Sequence, residues 1–279
     1  MVESSDMNAT PRSVRAFQEM IYLWWECNRR DLPWRRTRDP YRILVSEVML
    51  QQTQVSRVLP KYEEFLYFFP DVYALAGATS AQVLRVWKGM GYNRRALYLK
   101  RAAESVVRIY HGEFPDDESS LMNLPGLGLY TARAIMVFAF EKDVAMVDTN
   151  IRQIIVRFFF GGVPQKEKLI LETASMLVPK GKSWTWHQAL MDYGALALPR
   201  SDAKTTPAKK AAVPFADTDR FVRGRILDML RDDTRPEKQL ISDIVKKYGR
   251  KKMQCRAIIS GLIKDGLIVR TGNTLSLPE

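Results

Sequence analysis

Residues 121–150 read LMNLPGLGLYTARAIMVFAFEKDVAMVDTN, and the fold turns on how this stretch is parsed. Leu124-Pro125-Gly126-Leu127-Gly128 cannot continue a helix, because Pro125 has no amide hydrogen to donate and the two glycines admit positive φ. A hairpin of this composition turns successive N–H groups outward. With the N-terminus of a helix beginning near Tyr130, it makes a concave anion site suited to a phosphate. Residues 131–140 are apolar almost all round, which predicts a buried helix. A further apolar run, 144–147, leads to Asp148, so that this carboxylate projects from an anchored place. On the residues alone two readings of Asp148 stand: the N-cap of a helix over 151–160, or a functional carboxylate.

A second stretch, residues 41–55, reads YRILVSEVMLQQTQV. As one helix it sets Glu47 among Leu44, Val48, Met49 and Leu50. A carboxylate buried there without a partner has a raised pKa and donates a proton near neutral pH; the alternative is an ion pair with Arg42 on the same helix. Gln51 lies one turn beyond Glu47 on the same face, and the side chains of Gln51 and Gln52 are suited to reading or replacing bases. Residues 83–91, VLRVWKGMG, end at a glycine, and Tyr92-Asn93-Arg94-Arg95 opens another helix. A Tyr beside two arginines stacks on a base while the cations meet phosphates, or it simply covers a helix end.

The rest of the chain bounds the answer. Its 279 residues are 46% hydrophobic, enough for one large or two modest domains. A net charge of +12 points to a polyanionic partner. Cys27 and Cys255 are too few for a disulfide framework or a cysteine-rich metal site. No apolar run reaches membrane-spanning length and no signal-peptide core is seen, so a reducing cytoplasm is expected. Residues 1–11 are polar and expected to be disordered, and 13–30 form an amphipathic helix broken by Arg30-Asp31-Leu32-Pro33-Trp34-Arg35. His187, alone in an apolar helix over 184–197, reads as a packing residue. Residues 201–214, SDAKTTPAKKAAVP, have linker composition. Beyond them, three helices and a hairpin turning at Gly272-Asn273 suggest a winged-helix-like (α+β) module over 215–279. Residues 201–279 hold 17 basic and 10 acidic side chains, +7 of the total charge. Runs such as Lys246-Lys247 and Arg250-Lys251-Lys252 are suited to backbone phosphates or are a solvated face.

L-P-G-x-G-x-Y-T-A, with the Asp of V-D-x-N 18 positions after Tyr130, resembles the helix-hairpin-helix DNA glycosylases. R-D-L-P-W-R, D-P-Y, S-E-V-M-L-Q-Q-T-Q-V and W-x-G-x-G-Y extend the resemblance from about residue 29 to 199, most closely to MutY-type adenine glycosylases. The resemblance implies an all-α, two-lobed helix-hairpin-helix fold over 1–200, to which the residues themselves add the linker and the winged-helix-like module. It implies a monofunctional enzyme of base excision repair that flips adenine, mispaired with guanine or 8-oxoguanine, out of duplex DNA and hydrolyses its glycosidic bond. In those terms Glu47 is the general acid, Asp148 stabilises the cationic sugar, and Tyr130 and Asn150 position sugar, water or carboxylate. Gln51 and Gln52 fill the space of the flipped base, Tyr92 wedges into the stack, and Gly126, Leu127, Gly128 and Thr131 hold the backbone.

Two departures from the family pattern stand out. MutY-like enzymes carry a four-cysteine iron–sulfur loop at a place that here reads Leu196-Ala197-Leu198-Pro199-Arg200; with no cysteine between Cys27 and Cys255, no cofactor is expected. Nothing resembles the Nudix-like domain that checks for 8-oxoguanine. A mismatch-specific thymine or uracil glycosylase of the same fold, and a non-catalytic winged-helix DNA-binding regulator, are the alternatives. The expected protein is a cytoplasmic, nucleoid-associated monomer.

Overall fold

The computed structural model describes residues 11–198 and 213–279. The expectations for residues 1–10 and for linker residues 201–212 therefore lie outside the described residues. The helices run α1 (Pro11–Asn28), α2 (Pro40–Leu50), α3 (Val55–Phe68), α4 (Val72–Gly77), α5 (Ser80–Val86), α6 (Arg94–Tyr110) and α7 (Glu118–Met122). They continue as α8 (Leu129–Phe138), α9 (Thr149–Phe159), α10 (Glu167–Leu177) and α11 (Ser183–Leu196). The C-terminal part adds α12 (Asp219–Asp232), β1 (Arg235–Pro236), α13 (Glu237–Tyr248), α14 (Lys252–Lys264), β2 (Val269–Thr271) and β3 (Thr274–Ser276). The described residues are mostly helical, as expected, with one small sheet among them.

The chain folds as two compact units. One takes the described residues through Glu47, Pro115–Asn123, and those from Leu127 to 198. Its core packs α1, α9 and α11 through Phe17, Ile21, Ile151, Ile155, Trp186 and Leu190. Each such side chain contributes roughly 1.5–3 kcal/mol on burial. Asp192 on α11, fully buried, ties the N-terminal segment to this core. It accepts from Trp25 Nε1 at 2.9 Å and from both terminal nitrogens of Arg35 at 2.7 and 2.8 Å. Arg30 joins through its main-chain N–H and Nε. The R-D-L-P-W-R break is thus a turn that aims two guanidinium groups at one carboxylate.

The other unit takes Val48–Phe114, Leu124–Gly126 and the described residues from 213 on. Here α4 lies along α6, and Phe65, Trp87, Leu75, Leu84 and Leu99 fill the interior. The three C-terminal helices and the sheet, ordered β1-β3-β2 and antiparallel, form the expected winged-helix-like arrangement. The strand at Arg235–Pro236 escaped the sequence reading because Pro236 discourages strands, yet an edge position tolerates it. Arg231 of α12, buried, donates to Leu84 O at 3.0 Å and Asn93 Oδ1 at 3.2 Å, while Arg85 donates to Arg231 O at 2.9 Å. These bonds fasten the C-terminal helices to the α5–α6 corner within this unit.

The predicted helix over 41–55 is shorter than expected. α2 stops at Leu50 and Gln52 adopts φ 54°, a left-handed turn before α3. Arg95 explains the stop: its guanidinium donates to the last carbonyls of α2, Val48 O at 2.7 Å and Met49 O at 3.1 Å, and to Thr53 Oγ1 at 3.1 Å. Gln51 therefore sits in a turn past the helix end, and its alignment one helical turn beyond Glu47 is corrected. The expectation that Arg95 meets phosphate is corrected too, since its fork is taken up by main-chain carbonyls.

Candidate active site

The first unit brings together Glu47, Tyr130, Asp148 and Asn150. Glu47, near the end of α2, is only 5% exposed, between Ser46 and Val48 that are buried as well. The suggested ion pair with Arg42 is absent, because Arg42 meets Asp39 at 3.5 Å. Burial raises the Glu47 carboxyl to about 7; a hydrogen bond from Tyr130 opposes the rise and the neighbouring Asp148 adds to it. A carboxylic acid tuned in this way holds its proton at neutral pH and gives it up to a leaving group.

The Tyr130 hydroxyl is pushed well above its usual value by burial and by the two carboxylates, so it remains a donor. It stands in the first turn of α8, whose inner residues Ala132 and Ala134–Phe138 are buried as the sequence predicted.

Asp148 takes the N-cap position of α9 and keeps its second carboxylate oxygen for a side-chain partner. Its Oδ1 accepts from Ile151 N at 2.7 Å as the N-cap of α9, and its Oδ2 accepts from Asn150 Nδ2 at 3.1 Å. Burial raises its pKa, while these hydrogen bonds and the charge of Arg30 pull it back. The helix N-terminus favours the ionised form as well. The segment leading into Asp148 is held from both sides. Arg133 Nη1 donates to Ala145 O at 3.0 Å, and Met146 N donates to His187 Nε2 at 3.1 Å. His187 Nδ1 is in turn bonded to Ser183 O at 2.8 Å, and burial depresses the ring to about 4. The packing reading of His187 is thereby confirmed, with the addition that it anchors the approach to Asp148.

Gly194 on α11 was not singled out from the sequence. A Cβ there would lie 2.7 Å from Asn150 Cβ and 3.1 Å from Asn150 Cα and O. The signal was available: an isolated glycine inside the apolar helical run WTWHQALMDYGALA marks a close approach of backbone.

In the hairpin only Gly126 takes positive φ, at 82°, and a Cβ there would strike Tyr98 Cβ at 2.6 Å. Gly128 has φ −99° and open space where a Cβ would go, so the expectation of two left-handed glycines is corrected to one. Gly128 is the N-cap of α8 and supplies no side-chain bond to its first turn, which leaves N–H groups for an anion. Leu127 and Thr131 are buried, so these positions offer an anion main chain rather than side chain.

In the second unit Gln51, Gln52 and Tyr92 line one cleft of about 940 Å³. The two side-chain amides make no hydrogen bond among the described residues. Tyr92, with φ 45° and 37% exposed, receives a hydrogen bond from Arg220 Nη1 at 2.6 Å, and the Arg220 guanidinium lies 3.7 Å from the centre of its ring.

Among the described residues no group of three or more His, Cys, Asp and Glu could hold a metal ion, and no helix is long and apolar enough to cross a membrane.

The chain is similar to known proteins. The model of the HhH-GPD superfamily of base excision DNA repair proteins matches residues 45–180. The adenine DNA glycosylase of Mycolicibacterium smegmatis is 36% identical over 273 residues, covering 91% of this chain and 92% of the relative. The thymine/uracil-DNA glycosylase of Methanothermobacter thermautotrophicus is 35% identical over 193 residues, covering 68% and 87%. Among solved structures, a thermostable thymine-DNA glycosylase superposes with TM-score 0.65 at 35% identity, over 70% of this chain and 92% of that one.

Proposed function

The chain belongs to the HhH-GPD superfamily of base excision DNA repair proteins, and from that premise we propose that it is a monofunctional adenine DNA glycosylase acting on adenine mispaired with guanine or 8-oxoguanine in double-stranded DNA. The observation that carries this reading is the buried Glu47, held near 7 and bonded to Tyr130 beside Asp148. A binding protein has no use for a buried carboxylic acid poised to exchange its proton near neutral pH, so the regulator reading is set aside.

The chemistry assigns each group one task. As the bond from C1′ to N9 breaks, its electron pair stays with the base and Glu47 delivers its proton to N7, so that adenine leaves neutral. Asp148, its pKa raised by burial but its charged form supported by its hydrogen bonds, Arg30 and the helix N-terminus, faces the positive charge left on the sugar. A fixed charge or donor of this kind contributes about 3–4 kcal/mol to the transition state. Water adds at C1′ and its proton returns to Glu47. Tyr130 and Asn150 orient the two carboxylates. The open N–H groups at the start of α8 receive a backbone phosphate. Gln51, Gln52 and Tyr92 occupy the gap that flipping opens. Flipping costs a few kcal/mol and least at a mismatch, which favours mispairs.

Thymine or uracil opposite guanine is the second reading, favoured by the 35% identity to a thymine/uracil-DNA glycosylase. The relative that spans 91% of the chain is an adenine glycosylase, which favours adenine here. Single-turnover release measured on duplexes carrying A·G, A·8-oxoguanine, T·G and U·G decides between them; release from the last two alone would overturn the adenine assignment.

Asn150 depends on the bare Cα of Gly194. Gly194→Ala is expected to lower stability by about 1–3 kcal/mol, because its new methyl meets Asn150. Misplacing the first turn of α9 should also slow excision by about 10- to 100-fold. Thermal unfolding and single-turnover assays check this; a variant with unchanged Tm and rate removes Gly194 from the positioning of the site.

We also infer that the enzyme works without an iron–sulfur cluster, as a cytoplasmic, nucleoid-associated monomer. Two cysteines cannot supply four thiolates from one chain. The purified protein should be colourless and keep its activity after exhaustive chelation, whereas stoichiometric iron with a visible absorption band would refute this. The position immediately after the hairpin holds Tyr130, which cannot form an imine, and Lys142 is paired with Asp116 at 2.6 Å. The product should be an intact abasic strand, cut only by hot alkali; efficient nicking together with a borohydride-trapped complex would place the nucleophile on a lysine.

A further inference from the structure

The cleft beside Tyr92 has a composition that the excision chemistry does not use. Seven arginines line it and Asp228 is the one carboxylate among its lining residues. Asp228 is committed to Arg225 and Arg231, and Asp265 to Arg223. Arg220 is different. Its contacts are aromatic: the Tyr92 hydroxyl and ring, with Phe215 at 5.8 Å, and no carboxylate meets it among the described residues. Arg220 sits in the first turn of α12, and α12 is fixed to the α5–α6 corner by Arg231, so its base is rigid. The same cleft is lined by Gln51 and Gln52, whose side-chain amides make no hydrogen bond among the described residues, and Gln51 is only four residues along the chain from Glu47.

A guanidinium stacked on an aromatic ring, in a cationic cleft that also holds two side-chain amides, is a donor array for the edge of a base. Arginine pairs bidentately with O6 and N7 of guanine, an arrangement that adenine, cytosine and thymine do not offer. Resting on the adenine glycosylase reading above, we propose that Arg220 of the C-terminal module is a specificity-determining residue that reads the O6/N7 edge of the guanine left opposite the flipped adenine, with Tyr92 as its stacking platform. The winged-helix-like module is then part of the mismatch-reading surface. The Tyr92 hydroxyl holds the guanidinium in place before DNA arrives, so little side-chain freedom is lost on binding.

The test measures binding rather than turnover. The full chain is titrated with duplexes in which the target is 2′-fluoro-2′-deoxyadenosine, whose sugar resists cation formation, opposite guanine, 7-deazaguanine (no N7 acceptor) or 2-aminopurine (no O6). The wild-type protein should bind the guanine duplex roughly 10- to 100-fold more tightly than the other two. Arg220→Ala and Arg220→Lys should bind all three at the weaker level; the lysine keeps the charge but lacks the fork. Equal affinities for the three duplexes with the wild-type chain would overturn the proposal. Discrimination retained in Arg220→Lys would overturn it as well, reassigning the group to a phosphate contact. Intact discrimination by a chain that releases no adenine from the natural A·G duplex would sink the glycosylase reading and leave this one standing.

Discussion

Asp148→Asn is expected to bind mismatched duplex as the wild-type chain does and to excise adenine about 10²- to 10³-fold more slowly. The amide keeps the shape of the carboxylate and one oxygen to accept from Ile151 N, so the cap on α9 survives. What disappears is the negative charge facing the sugar as the glycosidic bond opens. The other contact is perturbed as well: Asn150 Nδ2 now donates to a carboxylate oxygen, and an amide in its place must present oxygen to both donors or lose one of them. Binding by gel shift or anisotropy and single-turnover excision measured side by side separate the two effects. A rate within about threefold of wild type, about 0.7 kcal/mol in the barrier, would sink the role given to Asp148.

Glu47→Gln should stop adenine release, since an amide has no proton to give N7, and should also make the protein more stable at alkaline pH. The sign follows from linkage. The folded carboxyl titrates near 7 and the unfolded one near 4.5, so the folded state holds the extra proton between those values. Stability from this group is fully present below about 4.5, drains away as pH rises toward 7, and is absent above it. The whole shift amounts to about 3 kcal/mol as an upper bound. The amide side chain of the variant carries no such pH-dependent cost. Its Tm should therefore exceed that of wild type at about pH 8 and converge with it near about pH 4.5. The wild-type excision rate should itself fall as pH rises above about 7, where the acid is lost. An undiminished excision rate in the variant across roughly pH 5 to 8 would show that another group protonates the base.

Local chemistry made several elements legible in the sequence. Pro125 and Gly126 forced a break between two helices, because a missing donor and a positive φ are properties of single residues. The apolar run after Tyr130 made α8 buried, and an Asp ahead of an amphipathic run made Asp148 an N-cap. Glu47 stood out because a carboxylate in an apolar helix conflicts with its neighbours, and such conflicts collect at functional sites. The helix–helix–helix–hairpin order of the C-terminal module was legible for the same local reasons.

Other features arise from packing between distant segments. That Glu47 meets Tyr130 and Asp148 rather than Arg42 depends on chain segments about 80 to 100 residues apart, and no period or spacing encodes such a meeting. The end of α2 at Leu50 is set by Arg95, 45 residues further on, whose side chain supplies the donors that close the helix. The contact of Arg220 with Tyr92 joins residues 128 apart. Gly194, Asp192 and Arg220 look ordinary along the chain because their roles lie in close approach, in shared charge and in stacking. Those are relations between surfaces, fixed only when the helices pack.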